Sequence, residues 1–177
     1  MAILDIVLYP ASVLHKKADP VDTITDDIRR LIADMTETMY ATPTGVGLAA
    51  PQVGHSKRMT VIDVSEKAER KNKKGLLQMI NPRLLSATGE VEYEEGCLSL
   101  PGLGVVMQRK ADVVCTYQDP QGREQTITAT GFLAIAIQHE IDHLDGKLII
   151  DGLSDLKKDM YLQKLKKALR DNARKAI

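Results

Sequence analysis

The 177-residue sequence has no tryptophan, one phenylalanine and two cysteines, and it lacks any apolar run of membrane-spanning length. With 24 basic and 24 acidic side chains its formal net charge is zero, so no overall field attracts DNA or a membrane surface. It shows no leader-like basic and apolar start, and its two cysteines lie in unlike surroundings, which argues against a disulfide. We therefore expect a cytoplasmic monomer with neither DNA nor a membrane as a partner.

Hydrophobic residues make up 44% of the chain, enough for the core of one domain, and their periodicity predicts its elements. Residues 25–40 carry a helical apolar stripe, with Thr25 as the N-terminal cap. Strands are predicted at 58–63, 76–81, 83–93, 104–109, 111–118 and 123–130, with a hairpin turn at 119–122. Cys115 falls inside one of these runs, and we interpret it as a packing residue. The lysine-rich segment from Glu66 to Gly75 predicts a mobile surface loop.

The C-terminal stretch predicts an amphipathic helix over about residues 154–176. Leu162, Leu165 and Leu169 fall on one side of this helix, and most of its lysines and arginines fall elsewhere. This pattern is typical of a helix with a solvated basic face.

The strongest chemical signal is His-Glu-Ile-Asp-His at residues 139–143. Residues four apart lie on one face of an α-helix, so both imidazoles can bind one metal ion with Glu140 beside them. Apolar residues recur at helical spacing around the motif until Gly146 offers a stop, which predicts a largely buried helix. Ionisable side chains in such a helix need a partner, and a bound cation is one. The motif indicates a metal-dependent hydrolase; the alternative is a helix whose polar residues only reach its rim.

The third ligand distinguishes between kinds of metal site. Zinc peptidases with this helix motif take a glutamate or a histidine further along the chain, and this chain has neither after His143. Asp145 and Asp151 are weaker candidates, because they fall beside a predicted helix end and in a predicted turn. Cys97 is the better one, since Gly96 before it permits close backbone approach and a thiolate binds borderline-soft cations strongly. The residues thus predict a two-histidine, one-cysteine site with one open position.

Three separated segments resemble the motifs of the peptide deformylase family. They are Gly-Val-Gly-Leu-Ala-Ala-Pro-Gln at 45–52, Glu-Gly-Cys-Leu-Ser at 95–99 and Gln-His-Glu-Ile-Asp-His at 138–143. The length and the helical C-terminal end resemble the bacterial type of the family. We expect one catalytic domain over residues 1–177. Its predicted fold is α+β, with antiparallel strands surrounding the motif helix and with N-terminal and C-terminal helices flanking it.

The resemblance implies a role for each motif residue. The metal ligands would be Cys97, His139 and His143. A water at the open position would attack the substrate carbonyl, and Glu140 would take its proton and pass it to the leaving amine. The side-chain amide of Gln52 and the backbone N–H of Leu98 would stabilise the negative charge that develops on the carbonyl oxygen.

The implied reaction is hydrolysis of the formyl group on the N-terminal methionine of a nascent chain, with release of formate. An apolar pocket should receive the flexible methionine side chain. The residues that we expect around the substrate are Gly45, Val46, Gly47, Tyr93, Gly96, Phe132, Ile135 and Ala136. The apolar residues of the helix could equally be ordinary core.

The ligand types alone suit zinc. The resemblance instead implies one Fe2+ per chain, with Ni2+, Co2+ or Zn2+ as substitutes, and a C-terminal helix that contacts the ribosome. Two other functions stay open: a metallopeptidase that cuts internal bonds, and a non-catalytic metal-binding module associated with the ribosome. Glu140 and Gln52 argue against the module, because a purely structural metal needs neither.

Overall fold

The computed structural model describes residues 2–66 and 73–175 and has the predicted α+β architecture. Within these residues the helices are α1 (Asp26–Ala41), α2 (Gly131–Leu144) and α3 (Asp155–Lys175). The strands are β1 (Gly47–Ala49), β2 (Met59–Ile62), β3 (Leu77–Thr88), β4 (Val91–Cys97), β5 (Leu100–Arg109), β6 (Asp112–Gln118) and β7 (Glu124–Thr130). Short 3-10 helices lie at Ser12–His15, Ala50–Val53 and Ile149–Gly152.

Strands of two antiparallel sheets contact α2, the helix that carries the metal motif. A five-stranded sheet has the order β1-β2-β3-β6-β7, and β4 pairs with β5 in a separate sheet. Ala134, Ile137 and Ile141 of α2 pack with Ile62 and Val113 of the larger sheet in one core cluster. Because this apolar face of α2 packs against the sheet, the ionisable side chains of the metal motif project from the remaining part of the helix surface.

The helix predicted over residues 25–40 is confirmed to within one residue at each end, and the motif helix ends at Leu144, two residues before the predicted stop at Gly146. Thr25 caps α1, because its hydroxyl accepts a hydrogen bond from the backbone N–H of Ile28. Ile32, Met35 and Met39 form the buried stripe of this helix.

The predicted break between two strands near Pro82 is wrong. Separate strands were expected at 76–81 and 83–93, but β3 runs through Pro82 without interruption. The pairing of β3 with β6 shifts register around this proline, and Asn81 before it has a φ of 53°. The missing N–H of proline therefore falls at an irregularity rather than in the regular ladder of hydrogen bonds.

The single strand predicted at 83–93 is wrong, because β3 ends at Thr88 and β4 begins at Val91. β4 also extends past the predicted end at 93, and β5 begins before the predicted start at 104. β4 continues to Cys97 and β5 begins at Leu100, so only Leu98 and Ser99 turn the chain between them. The register of the pair shifts between Glu95 and Cys97. As a result, the predicted sulfur ligand lies at the end of a paired strand and not in a free loop.

The stripe predicted for the C-terminal helix is only partly correct. Tyr161 and Leu165 are buried in a core cluster that also contains Leu100, whereas Leu169 is 47% exposed. Residues 67–72, in the segment predicted to be a mobile loop, lie outside the described residues. Among the helices of the described ranges, none is long and apolar enough to cross a membrane.

Cys115 packs in the core, as its apolar surroundings predict. It is fully buried, and burial raises the pKa of its thiol to about 11. Both cysteines are free thiols.

Candidate active site

The three predicted metal ligands converge where β4 ends beside α2. Cys97 is the last residue of β4, and His139 and His143 lie one turn apart on α2. Their ligand atoms all lie within 4.8 Å of one another. Cys97 Sγ is 3.3 Å from His143 Nε2, which is 3.2 Å from His139 Nε2. A tetrahedral cation with bonds of about 2.0–2.3 Å needs ligand separations of roughly 3.3–3.6 Å, so this donor set fits one divalent ion.

The two imidazoles differ in protonation. Burial, together with the charges of His139 and Arg109, holds the pKa of His143 well below its ordinary value, so this ring is neutral and can donate a lone pair. Burial lowers the pKa of His139, but hydrogen bonds with Cys97 and Glu95 raise it to about 10. A cation that binds His139 must therefore displace a proton.

A buried ionic network, which the motif analysis missed, supports the ligands. Glu95 Oε2 lies 2.7 Å from His139 Nδ1. Arg109, the last residue of β5, donates to both carboxylate oxygens of Glu95 and to Asp142 on α2. Burial raises the pKa of Glu95, yet the hydrogen bonds from Arg109 and His139 hold it below its ordinary value. Glu95 lies two residues before Cys97, inside one of the three motif segments, and this proximity to the sulfur ligand is the signal that could have identified it.

Glu140 is adjacent to the ligands, but its carboxylate faces β1 and β2. It is 4% exposed, and its Oε2 lies 3.3 Å from the hydroxyl of Thr60. Gly47 leaves room for it, since a Cβ at that position would lie 2.8 Å from Glu140 Cδ. Burial raises the pKa of Glu140 to about 7, against the lowering effects of His139 and Thr60. A carboxyl group in this range can accept and release a proton near neutral pH.

Gln52 is buried in the 3-10 helix that follows β1, and both ends of its amide are engaged. Its Oε1 accepts a 2.9 Å hydrogen bond from the backbone N–H of Ala49. Its Nε2 donates to Ser99 Oγ at 3.2 Å and lies 3.5 Å from Cys97 Sγ. The donor end of the amide therefore faces the candidate ligands.

These groups border a cavity of about 490 Å³. All of the residues expected around the substrate line it: Gly45, Val46, Gly47, Tyr93, Gly96, Phe132, Ile135 and Ala136. So do Gln52, Cys97, Leu98, His139 and Glu140, whereas His143 is not among its lining residues. The rings of Tyr93 and Phe132 are 5.4 Å apart and about two-fifths exposed, which places them at the mouth. Leu100, Pro101 and Leu103 also line the cavity and were not predicted, because the sequence does not show that β5 passes beside it.

A ligand set for one divalent ion, a buried glutamate beside it and an oriented amide donor thus meet at one largely apolar cavity. On an α+β fold with a His-Glu-x-x-His helix, this combination defines a metal-dependent hydrolase.

Comparison with known proteins gives the particular family. The chain belongs to the polypeptide deformylase family, whose model matches residues 3–159. It is 49% identical over 166 residues to the peptide deformylase of Thermodesulfovibrio yellowstonii, covering 94% of this chain and 98% of that one. It is 45% identical over 178 residues to the peptide deformylase of Rhizobium meliloti, covering 100% of both chains. The crystal structure of a peptide deformylase from Legionella pneumophila superposes with a TM-score of 0.88 at 44% identity, covering 98% and 99%.

Proposed function

We propose that this protein removes the formyl group from the N-terminal formyl-methionine of nascent polypeptides and releases formate. The observation that carries the proposal is that Glu140 and two candidate metal ligands, Cys97 and His139, open into the same largely apolar cavity. Membership of the polypeptide deformylase family supports it. The site then needs to polarise one amide bond, move one proton and hold one apolar side chain.

Cys97, His139 and His143 are the residues that would hold the metal, and a divalent ion there supplies Lewis acidity that lowers the pKa of water towards neutrality. Glu140 accepts a proton from the attacking water at its carboxylate and delivers it to the amine nitrogen as the C–N bond breaks. The hydroxyl oxygen ends on the formyl carbon and the proton on the nitrogen, so formate and a free amine are the products. The buried position of Glu140 keeps bulk water from competing for that proton.

Gln52 and Leu98 are suited to stabilise the negative charge that develops on the formyl oxygen. The hydrogen bond from Ala49 fixes the Gln52 amide, so Nε2 is oriented before substrate arrives. Leu98 lies in the tight turn directly after Cys97 and lines the cavity, which supports this role for its backbone N–H. Donors that are already oriented cost no reorganisation during the reaction.

The apolar part of the cavity is suited to a methionine side chain. Val46, Phe132, Ile135 and Ala136 provide apolar wall, and Tyr93 pairs with Phe132 at the mouth. β1 is an edge strand, so a peptide lying between it and β4 can add backbone hydrogen bonds. Gly45, Gly47 and Gly96 line the cavity beside that path, and the absence of a side chain at Gly47 leaves room for the Glu140 carboxylate.

Ferrous iron is our proposal for the metal, with Ni2+, Co2+ or Zn2+ as substitutes. One thiolate and two imidazoles do not separate iron from zinc on ligand type alone, so the support is the resemblance to deformylases that use iron. A thiolate-bound ferrous ion beside an open cavity is exposed to oxidation, which would convert Cys97 to sulfur acids.

One experiment tests the activity and the metal together. Protein purified without oxygen is expected to contain about one iron per chain and to release formate from a formyl-methionyl peptide. The matched unformylated peptide should remain intact. Cleavage of internal bonds in both peptides would instead indicate a metallopeptidase, and metal binding without any hydrolysis would indicate a non-catalytic module.

We propose that the enzyme works as a cytoplasmic monomer and that residues 1–177 form a single catalytic domain. This chain supplies the candidate ligands, Glu140 and Gln52 together, which supports a monomer. Helix α3 belongs to the same domain in this proposal, because Tyr161 and Leu165 are buried in one core cluster with Leu100 of β5.

The C-terminal helix is also our candidate for contact with the ribosome. Lys164, Lys167 and Arg170 are exposed, and basic side chains on a helix can bind RNA phosphates. Changing these three residues to glutamate should abolish co-sedimentation with ribosomes at low salt. Formate release from a short peptide should stay within about twofold of wild type. Unchanged co-sedimentation of the correctly folded variant would contradict the contact.

A further inference from the structure

We propose that Arg109 is the positioning residue that aligns the strand carrying Cys97 with the helix carrying His139 and His143. Arg109 lies outside the three sequence segments that carry the family resemblance. The proposal rests on the proposed function only in so far as these ligands hold the catalytic ion.

The contacts of Arg109 reach both elements that supply ligands. Its Nε and Nη2 donate to the two oxygens of Glu95, and Nη2 lies 2.9 Å from Oε2. Its Nη1 donates to Asp142. Glu95 precedes Cys97 by two residues and also contacts His139 Nδ1 at 2.7 Å, while Asp142 directly precedes the second histidine ligand. A single guanidinium therefore ties β4 to α2 at the point where the ligands meet.

Arg109 and Glu95 are buried, so the geometry of their pair matters more than that of a surface ion pair. Arg109 is 9% exposed and Glu95 is 4% exposed. Buried charges are tolerated only when their partners are well placed. The planar fork of arginine matches both carboxylate oxygens at once, whereas a lysine ammonium can replace only part of this arrangement.

The net charge of the Arg109, Glu95 and Asp142 side chains also favours binding of a metal ion. Glu95 and Asp142 contribute two negative charges against the one positive charge of Arg109, which leaves one negative charge. This negative charge lies beside the candidate ligands, where it favours a bound cation. The carboxylate on His139 Nδ1 additionally fixes the ring with Nε2 directed towards the ion.

The test compares Arg109→Lys with Arg58→Lys. Arg58 is a matched control because it forms a 2.7 Å ion pair with Asp145, at the end of the same helix, and does not contact Glu95. For each protein we would measure the melting temperature, the Co2+ dissociation constant by chelator competition, the absorption bands of the bound Co2+, and kcat and KM for a formyl-methionyl peptide.

Arg109→Lys is expected to weaken Co2+ binding about 10–100-fold, as is typical when a residue that supports a metal ligand is lost. Its Co2+ absorption bands should shift, and at saturating Co2+ its kcat should fall by a larger factor than its KM rises. Arg58→Lys should stay within about twofold in Co2+ affinity and kcat, whatever its melting temperature.

Co2+ affinity and absorption bands in Arg109→Lys equal to those of Arg58→Lys would overturn the proposal. If Arg109→Lys does not fold, Asp142→Ala decides, since it removes the contact to α2 and keeps both hydrogen bonds to Glu95; Co2+ affinity within twofold of wild type would then overturn the proposal. The Co2+ measurements need no substrate. Absence of formate release by the wild type would therefore refute the proposed function without affecting this result.

Discussion

Replacing Glu140 with glutamine is expected to lower kcat by about a thousandfold or more while one metal ion per chain stays bound. Loss of a general base typically costs a factor of 10²–10⁴, and here the same carboxylate also returns the proton to the amine. Glutamine has nearly the same shape and can still contact the hydroxyl of Thr60, which lies 3.3 Å from Glu140 Oε2. The measurements are formate release at saturating formyl-methionyl peptide and metal content after dialysis.

Metal retention is the decisive part of this prediction, because it shows whether Glu140 acts as a general base or as a metal ligand. The three candidate ligand atoms come from Cys97, His139 and His143, and the Glu140 carboxylate instead faces β1 and β2. Loss of metal in Glu140→Gln would contradict the assigned role. Glu92→Gln is the matched control on β4, since Glu92 is exposed and hydrogen-bonds only to Gln108 among the described partners. It should keep kcat within about twofold.

The parts of the site that could be predicted from sequence are those whose geometry is local. A four-residue spacing puts His139 and His143 on one face of any helix, and the apolar pattern from Gly131 to Gly146 is strong enough to define that helix. Cys97 could be chosen because no glutamate or histidine follows His143, and because Gly96 permits close approach of a strongly binding thiolate. The resemblance of three motifs then added Gln52, which no local pattern places near the metal site.

Long-range contacts explain what could not be predicted. Arg109 meets Glu95 and Asp142 across 14 and 33 residues of chain, so no local spacing brings them together. The continuity of β3 through Pro82 depends on a register shift in its pairing with β6, which exists only once the sheet has formed. Likewise, Leu169 is exposed because tertiary packing, and not the helical stripe, decides which residues of α3 are buried.

Replacing Gly47 with alanine is expected to reduce kcat about a hundredfold without loss of metal. A Cβ at this position would lie 2.8 Å from Glu140 Cδ, closer than real Cβ contacts allow, so the carboxylate or β1 must shift. Small displacements of a catalytic group are costly, because proton transfer needs heavy atoms within about 2.6–3.2 Å. The stability cost should be about 1–3 kcal/mol, as for other overpacked sites. Formate release, metal content and thermal unfolding measure the three effects.

Gly152→Ala is the control, since a Cβ there would meet no heavy atom within 4 Å. It should change neither kcat nor metal content. A double-mutant cycle then identifies the cause of the loss at position 47. If Gly47→Ala acts by displacing the Glu140 carboxylate, adding it to Glu140→Gln should cost less than about threefold in kcat, because the proton transfer it disturbs is already gone. Additive losses in the double variant would mean that the alanine acts on substrate binding along β1 and not on the base.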